Sequence, residues 1–188
     1  MSTRRNHFAA LAFLVLLGAL AVTSESGQVA KAGPDTSITL FRARVDAYTR
    51  LRRQIVSDLL ENGIDPSLDG GRRFRQRLGA ALRTARSHSQ PGDVFCPELA
   101  GHMRAVVWSG LAGESDLLSE VPEVAHLRVN DEYPAGEPIG TVPPSLLRQF
   151  EPLPPELQYR FLSNALILLD IDAALIVDFV PNAFERAS

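Results

Sequence analysis

Apolar residues recur every three or four positions through "SITLFRARVDAYTRLRRQIVSDLLENG", at Ile38, Phe41, Val45, Tyr48, Leu51, Ile55 and Leu59. That spacing predicts a long amphipathic helix ended at Gly63. Arg42, Arg44, Arg50, Arg52 and Arg53 mostly fall off the stripe. Asp46 lies four residues from both Arg42 and Arg50, so the expectation is a solvated face with pairing inside the helix.

"IDPSLDGG" then reads as a turn, with Pro66 able to start one helical turn before Gly70 and Gly71. A second helix is predicted from about Arg72 to Ser87. Phe74, Leu78, Ala81, Leu82 and Ala85 give it a narrow apolar stripe, while Arg72, Arg73, Arg75, Arg77, Arg83 and Arg86 make the rest cationic. After the loop "SHSQPGD", a third helix is predicted in "CPELAGHMRAVVWSGLAG". Pro97 suits the first helical position there, and Leu99, Met103, Val106 and Val107 share a face with Gly110 or Leu111.

The texture changes between Pro122 and Pro155, which hold eight of the 13 prolines. Tyr133, Ile139, Leu146, Leu147 and Phe150 supply apolar anchors, so this segment is expected to be a strap lying over the core. Within it "LRVN" is a candidate short strand and "SLLRQF" a candidate helical turn capped by Ser145.

"LQYRFL", "ALILLD" and "ALIVDFV" then read as three strands. Ser163 and Asn164 make the first join, where Asn accepts positive φ, and "IDA" or its neighbours make the second. Asp170 and Asp172 flank that second turn, where aspartate side chains bond nearby backbone amides. Asp178 is expected on the opposite face from Val177 and Phe179, or at a sheet edge. The three aspartates lack the third close acid and the central glycine of a calcium loop, and are read as turn and edge residues.

The predicted class is therefore α+β: about three N-terminal helices packed with a small C-terminal antiparallel meander, with a proline-rich strap between them. Residues 33–188 are read as one domain, with a helical part over 36–118, the strap over 119–156 and the meander over 157–181. Residues 1–32 read as a leader, because Arg4 and Arg5 precede about 15 apolar residues from Phe8 to Val22 and a polar "TSESGQ". Small residues place cleavage near residue 21 or 32. The alternative is an uncleaved membrane anchor, but a spanning helix wants about 20 apolar residues and this run is shorter. The expected location is exported, periplasmic or secreted, with membrane contact only through the N-terminal segment.

At 188 residues, with 45% hydrophobic and 22% charged, the chain has an ordinary globular balance, and a lone Cys96 excludes an intramolecular disulfide. The charge split says more. From Gly33 to Gly110 there are 12 arginines against 8 acids, net +4, and from Leu111 to Ser188 there are 4 against 13, net −9. The halves can attract each other, or the cationic helices can meet an anionic partner.

Candidate chemistry is sparse. Cys96 precedes Pro97 at the expected N-cap, where a helix dipole favours a thiolate, although Val94 and Phe95 make an apolar neighbourhood and Glu98 opposes the charge. Glu98 and His102 are four apart and could touch one ion, while His88 and His126 lie in loops. There is no GxSxG, P-loop, GxGxxG or HExxH. No cofactor is implied, and nucleic acid is a poor partner for an acidic chain with few aromatics near its arginines.

"YRFLSNALILLDIDAALIVDFVPNA", preceded by "VPPSLLRQFEPLPPELQYR" and "RVNDEYPAGEPIGTVPP", resembles the C-terminal part of a group of uncharacterised bacterial secreted proteins. The likeness extends over most of the chain after the leader, including "QPGDVF". It implies export and a single domain, and no activity.

The favoured expectation is a non-catalytic exported binding or accessory protein. Its anion- or partner-binding candidates are Arg72, Arg73, Arg75 and Arg77, and the partner is an anionic one or another envelope protein. The alternatives are a small thiol- or metal-dependent enzyme using Cys96 or Glu98 with His102, and a membrane-tethered structural protein.

Overall fold

The structure is a computed structural model that describes residues 34–111, 121–136 and 140–185. The proposed leader and cleavage sites lie outside these residues. Among the described residues the protein is α+β, with four α-helices and a four-stranded antiparallel sheet. None of these helices is long and apolar enough to cross a membrane.

Helix α1 (Pro34–Glu61) buries the periodic stripe at Phe41, Val45, Tyr48 and Ile55. Burial of side chains of this size stabilises the fold by roughly 1.5–3 kcal/mol each. Gly63 (φ 74) follows as the residue that leaves the helical path. Helix α2 (Arg72–Ala85) buries Phe74, Leu78 and Leu82, and helix α3 (Pro97–Gly110) buries Leu99, Ala100, Met103 and Val107. All three contribute to one cluster with Leu157, Tyr159, Phe161, Leu166, Leu168, Leu175 and Val180.

Those last residues are alternate positions of strands β2 (Leu157–Leu162), β3 (Ala165–Asp170) and β4 (Leu175–Pro181), which pair in a meander. The intervening positions Leu162, Ala165, Ile167, Leu169 and Ile176 form a second cluster with Tyr133, Val124 and Leu127. The helices thus cover one face of the sheet, and Val124, Leu127 and Tyr133 of the strap cover the other. The strap does lie over the core, and on both sides of the sheet: Val142, Leu146 and Phe150 join the helix-side cluster, while Val124, Leu127 and Tyr133 lie on the other. Because both faces are covered, all six residues of β3 are buried.

Several details differ from the sequence reading. The strap supplies strand β1 (Gly140–Thr141), which pairs with Phe161 and Arg160 of β2 and makes the sheet four-stranded. Gly140 is required there, since an added Cβ would stand 2.1 Å from the Phe161 carbonyl oxygen. "LRVN" is not a strand. Instead Asn130 N–H donates to Ile176 O, Ile176 N–H to Asp131 O and Tyr133 N–H to Ala174 O, so this irregular segment runs along the outer edge of β4. Helix α4 (Pro144–Leu147) has Pro143 at the N-cap with no side-chain capping bond; Ser145 is inside the turn, because Pro144 with its fixed φ takes the first helical position. In the β2–β3 turn the positive φ falls on Ser163 (φ 50) rather than Asn164.

Candidate functional site

The meander register places the three aspartates. Leu168 pairs with Asp178 and Leu169 with Ile176, so Val177 is an extra residue in β4, a bulge. The bulge breaks the period of two. Asp178, opposite the helix-facing Leu168, therefore comes to the same face as Val177, contrary to strict alternation. It remains on the opposite face from Phe179, and β4 is an edge strand, but the carboxylate is fully buried.

Asp178 is held entirely by main chain. Its Oδ1 accepts from Gly92 N–H (2.9 Å) and Phe179 N–H (2.8 Å), and its Oδ2 from Val94 N–H (2.7 Å) and Phe95 N–H (2.8 Å). Burial pushes this carboxyl above its ordinary value, against the pull of the four amides. The loop before α3 is thereby fixed to β4. Phe95 within that loop stacks on Phe41 of α1 at 5.5 Å and meets the Tyr159 ring at 6.4 Å.

Asp170 keeps the expected turn role, accepting at Oδ1 from Ala173 N–H (3.0 Å). Its Oδ2 does more. It accepts from the Tyr48 hydroxyl (2.7 Å) and from Arg52 Nε (2.8 Å), while Arg52 Nη2 bonds the exposed Asp172 carboxylate. Although burial opposes the charge on Arg52, Asp170 and Asp172 together raise its pKa. Arg86, just past α2, places its guanidinium 5.2 Å from the centre of the Tyr48 ring and donates to Asn130 Oδ1 and the Val177 carbonyl, both at 2.8 Å. Burial lowers the pKa of Arg86, against nearby Tyr48 and Asp178.

These carboxylates are separate pins. One ties α1 to the β3–β4 turn, and the other ties the 92–95 loop to β4. Every carboxylate oxygen of the two accepts protein donors, which leaves them no evident role as ion ligands.

The expected solvated face of α1 holds at the exposed Arg42, Arg50 and Arg53 and is corrected at Arg52, and the pairing is with distant residues rather than with Asp46. Arg52 is buried on Asp170, Arg42 pairs with Glu151 at 2.6 Å, and Arg44 donates to the Gly92 carbonyl at 3.0 Å. These partners are 48 to 118 residues away in sequence, which is why spacing along one helix pointed only to Asp46.

Cys96 occupies the N-cap of α3 as expected, but it is 4% exposed and belongs to the main apolar cluster. Glu98 stands in the first turn of α3 and His102 on its exposed side. Among the described residues no group of three or more His, Cys, Asp or Glu side chains could hold a metal ion.

Helix α2 differs from α1. Arg72, Arg73, Arg75 and Arg77 are all exposed, and none of Arg72, Arg73, Arg77 or Arg83 is in an ion pair among the described residues. Arg72, Arg75, Gln76 and Arg83 line a cavity of about 190 Å³ together with Gly79, Glu132, Ala173 and Ala174. Gly79 brings α2 down onto the β3–β4 turn, since an added Cβ would meet the Ala173 carbonyl oxygen at 3.0 Å. The structure thus collects Arg72 and Arg75 of the four sequence candidates, and Arg73 and Arg77 do not line the cavity. It adds Arg83, Gln76 and Glu132. Arg83 and Gln76 follow Arg72 at helical spacing and were readable from it; Glu132 reaches the cavity only through its bridge to Leu175.

The N-terminus of α2 reinforces this positive surface. Its N-cap is Gly71 with no side-chain capping bond, and no acidic residue stands in the first turn. Comparison of the chain with known protein families, with curated proteins and with solved structures finds no match in any of the three.

Proposed function

We propose that this protein is a non-catalytic exported binding module that captures an anionic partner on the outer face of α2. One observation carries the reading: among the described residues, exposed arginines without ion pairs are densest on α2, where Arg72, Arg73 and Arg77 outnumber Arg50 and Arg53 of the longer α1. Arg44, Arg52 and Arg86 bond to groups within the fold and the exposed Arg42 pairs with Glu151, whereas Arg72, Arg73, Arg77 and Arg83 are in no ion pair among the described residues. Planar guanidinium groups suit carboxylate and phosphate oxygens, and an unneutralised cationic surface attracts such groups over a Debye length. Export rests on the basic and apolar pattern of residues 1–22 and on the resemblance to secreted proteins.

The test is retention of the purified protein on an immobilised polyanion, polyaspartate, over a salt gradient. Retention should fall steeply with salt. It should be lost in a variant with Arg72, Arg73, Arg75 and Arg77 changed to glutamine, and kept when the exposed α1 residues Arg50 and Arg53 are changed instead. Retention that ignores salt, or that both variants weaken equally, would refute the reading.

A further inference from the structure

We infer that the cleft beside strand β2, lined by Leu147, Pro152, Leu153, Leu157 and Arg160, is a binding site for a medium-chain fatty acid held by its carboxylate. It is a second site, independent of the outer face of α2.

The strap makes the cleft. Strand β1 pairs with β2 only at Phe161 and Arg160, and the chain then turns into α4. It returns to β2 through a turn in which Leu157 N–H donates to Pro154 O, and the Tyr159 hydroxyl donates to the Glu151 carbonyl at 3.0 Å. Between this returning segment and β2 lies a cavity of about 360 Å³, inside the roughly 300–1,000 Å³ range of small-molecule sites. Leu147, a large apolar side chain left exposed, lines it.

The polar groups of the cleft decide the polar end of the ligand. Glu151 is already paired with Arg42 at 2.6 Å, and the Tyr159 hydroxyl is engaged by the Glu151 carbonyl. Arg160 is in no ion pair among the described residues. Its Nη2 donates to the neutral Oε1 of Gln158, while its Nε is buried and finds no acceptor among them. Nε and Nη2 form one edge of the guanidinium, two parallel donors that match the two oxygens of a carboxylate. The single amide oxygen of Gln158 satisfies half of that edge. A buried donor without an acceptor is costly, so a carboxylate that displaces Gln158 and takes both donors relieves that cost and adds a charge-assisted bond.

The remaining lining decides the body of the ligand. The side chains of Leu147, Pro152, Leu153 and Leu157 carry no donor or acceptor. A molecule with one anionic end and an unbranched apolar chain fits them, whereas a peptide terminus brings amides that these side chains leave unpaired.

Calorimetric titration of the full chain with acetate, hexanoate, octanoate and octanol tests the assignment. Each methylene buried should tighten binding about 4-fold, so affinity should rise from acetate through hexanoate to octanoate. Octanoate should bind about 10-fold or more tighter than octanol, which has the chain without the charge. Arg160→Gln should bring octanoate down to the level of octanol while keeping the rise with chain length. Leu147→Asn should flatten that rise instead. Arg73→Gln, on α2, should alter neither. Melting temperatures equal to that of the parent confine the comparison to folded proteins, and the exposed Leu147 keeps the test available if Arg160→Gln melts lower.

Equal affinity for acetate and octanoate, or octanoate binding indifferent to both Arg160→Gln and Leu147→Asn, overturns the site. Tighter binding of N-acetylleucine than of octanoate overturns it as well, and reassigns the cleft to a peptide C-terminus. Polyaspartate retention that still depends on the α2 arginines leaves the reading of α2 standing in either case.

Discussion

The hydroxyl of Tyr48 donates to Oδ2 of Asp170 across 122 residues of sequence, at 2.7 Å, and Arg52 one helical turn later donates to the same oxygen at 2.8 Å. The two donors are not equivalent. Removing the hydroxyl leaves the carboxylate paired, whereas removing the guanidinium leaves a buried charge without a countercharge.

Tyr48→Phe should therefore destabilise the protein by about 1–3 kcal/mol. Arg52→Ala should cost more, about 3–5 kcal/mol, because it strands Asp170. Urea unfolding with a common slope checks the order. Equal losses would mean that the hydrogen bond, and not the ion pair, dominates at this position.

Asp178→Asn keeps the shape of the side chain but replaces one acceptor oxygen with an amide donor. Each oxygen of Asp178 receives two backbone N–H groups, so either orientation of the amide sets an NH₂ against two donors. A loss of about 2–4 kcal/mol is expected, from two amides left unsatisfied. Hydrogen exchange should speed up at Gly92, Val94 and Phe95 while the amides of β3 stay protected. Uniform acceleration across the sheet would show that the loop does not open by itself.

High pH offers a separate test through the phenols. Burial raises the pKa of Tyr48, with Asp170 adding to the shift, and burial likewise raises Tyr159, with Glu151 adding to it. A raised folded-state pKa means stability that is complete below the unfolded value of about 10 and is lost as pH climbs from there towards the folded value. Phenolate absorbance of these two residues should appear only as the protein unfolds. Tyr159→Phe, which leaves the Asp170 contacts intact, should make stability fall less steeply above that pH. An unchanged slope would rule out Tyr159 as a contributor.

Cys96 should resist alkylation in the native state. Its labelling rate should track global unfolding as urea is raised, since the thiol is buried in the main apolar cluster. Rapid labelling without denaturant would return the thiol to consideration as a reactive group.

Much of this architecture could be read along the chain. The α1 stripe, the start of α3 at Pro97 and the three meander strands all rest on local periodicity and local punctuation, and the structure reproduces them. Features made by distant pairing could not be read. Strand β1 has two residues and no pattern of its own, and "LRVN" has the composition of a strand but spends its backbone bonds along β4 in irregular form. A single extra residue at Val177 reverses the parity that assigned Asp178 to the other face. The candidate site was half legible for the same reason. Arg72, Arg75 and Arg83 announce themselves on one helix, while Glu132 joins them only through the strap.

The run of strap bonds at Asn130, Asp131 and Tyr133 also bears on how safely the protein can be concentrated. A bare strand as apolar as β4 would recruit another copy through its open ladder, the usual beginning of fibrous aggregation. Here the outer ladder positions at Ala174 and Ile176 are occupied by the chain's own irregular segment, whose bends offer a newcomer no straight template. The strap is thus a guard against self-templating as well as a cover for the second face of the sheet.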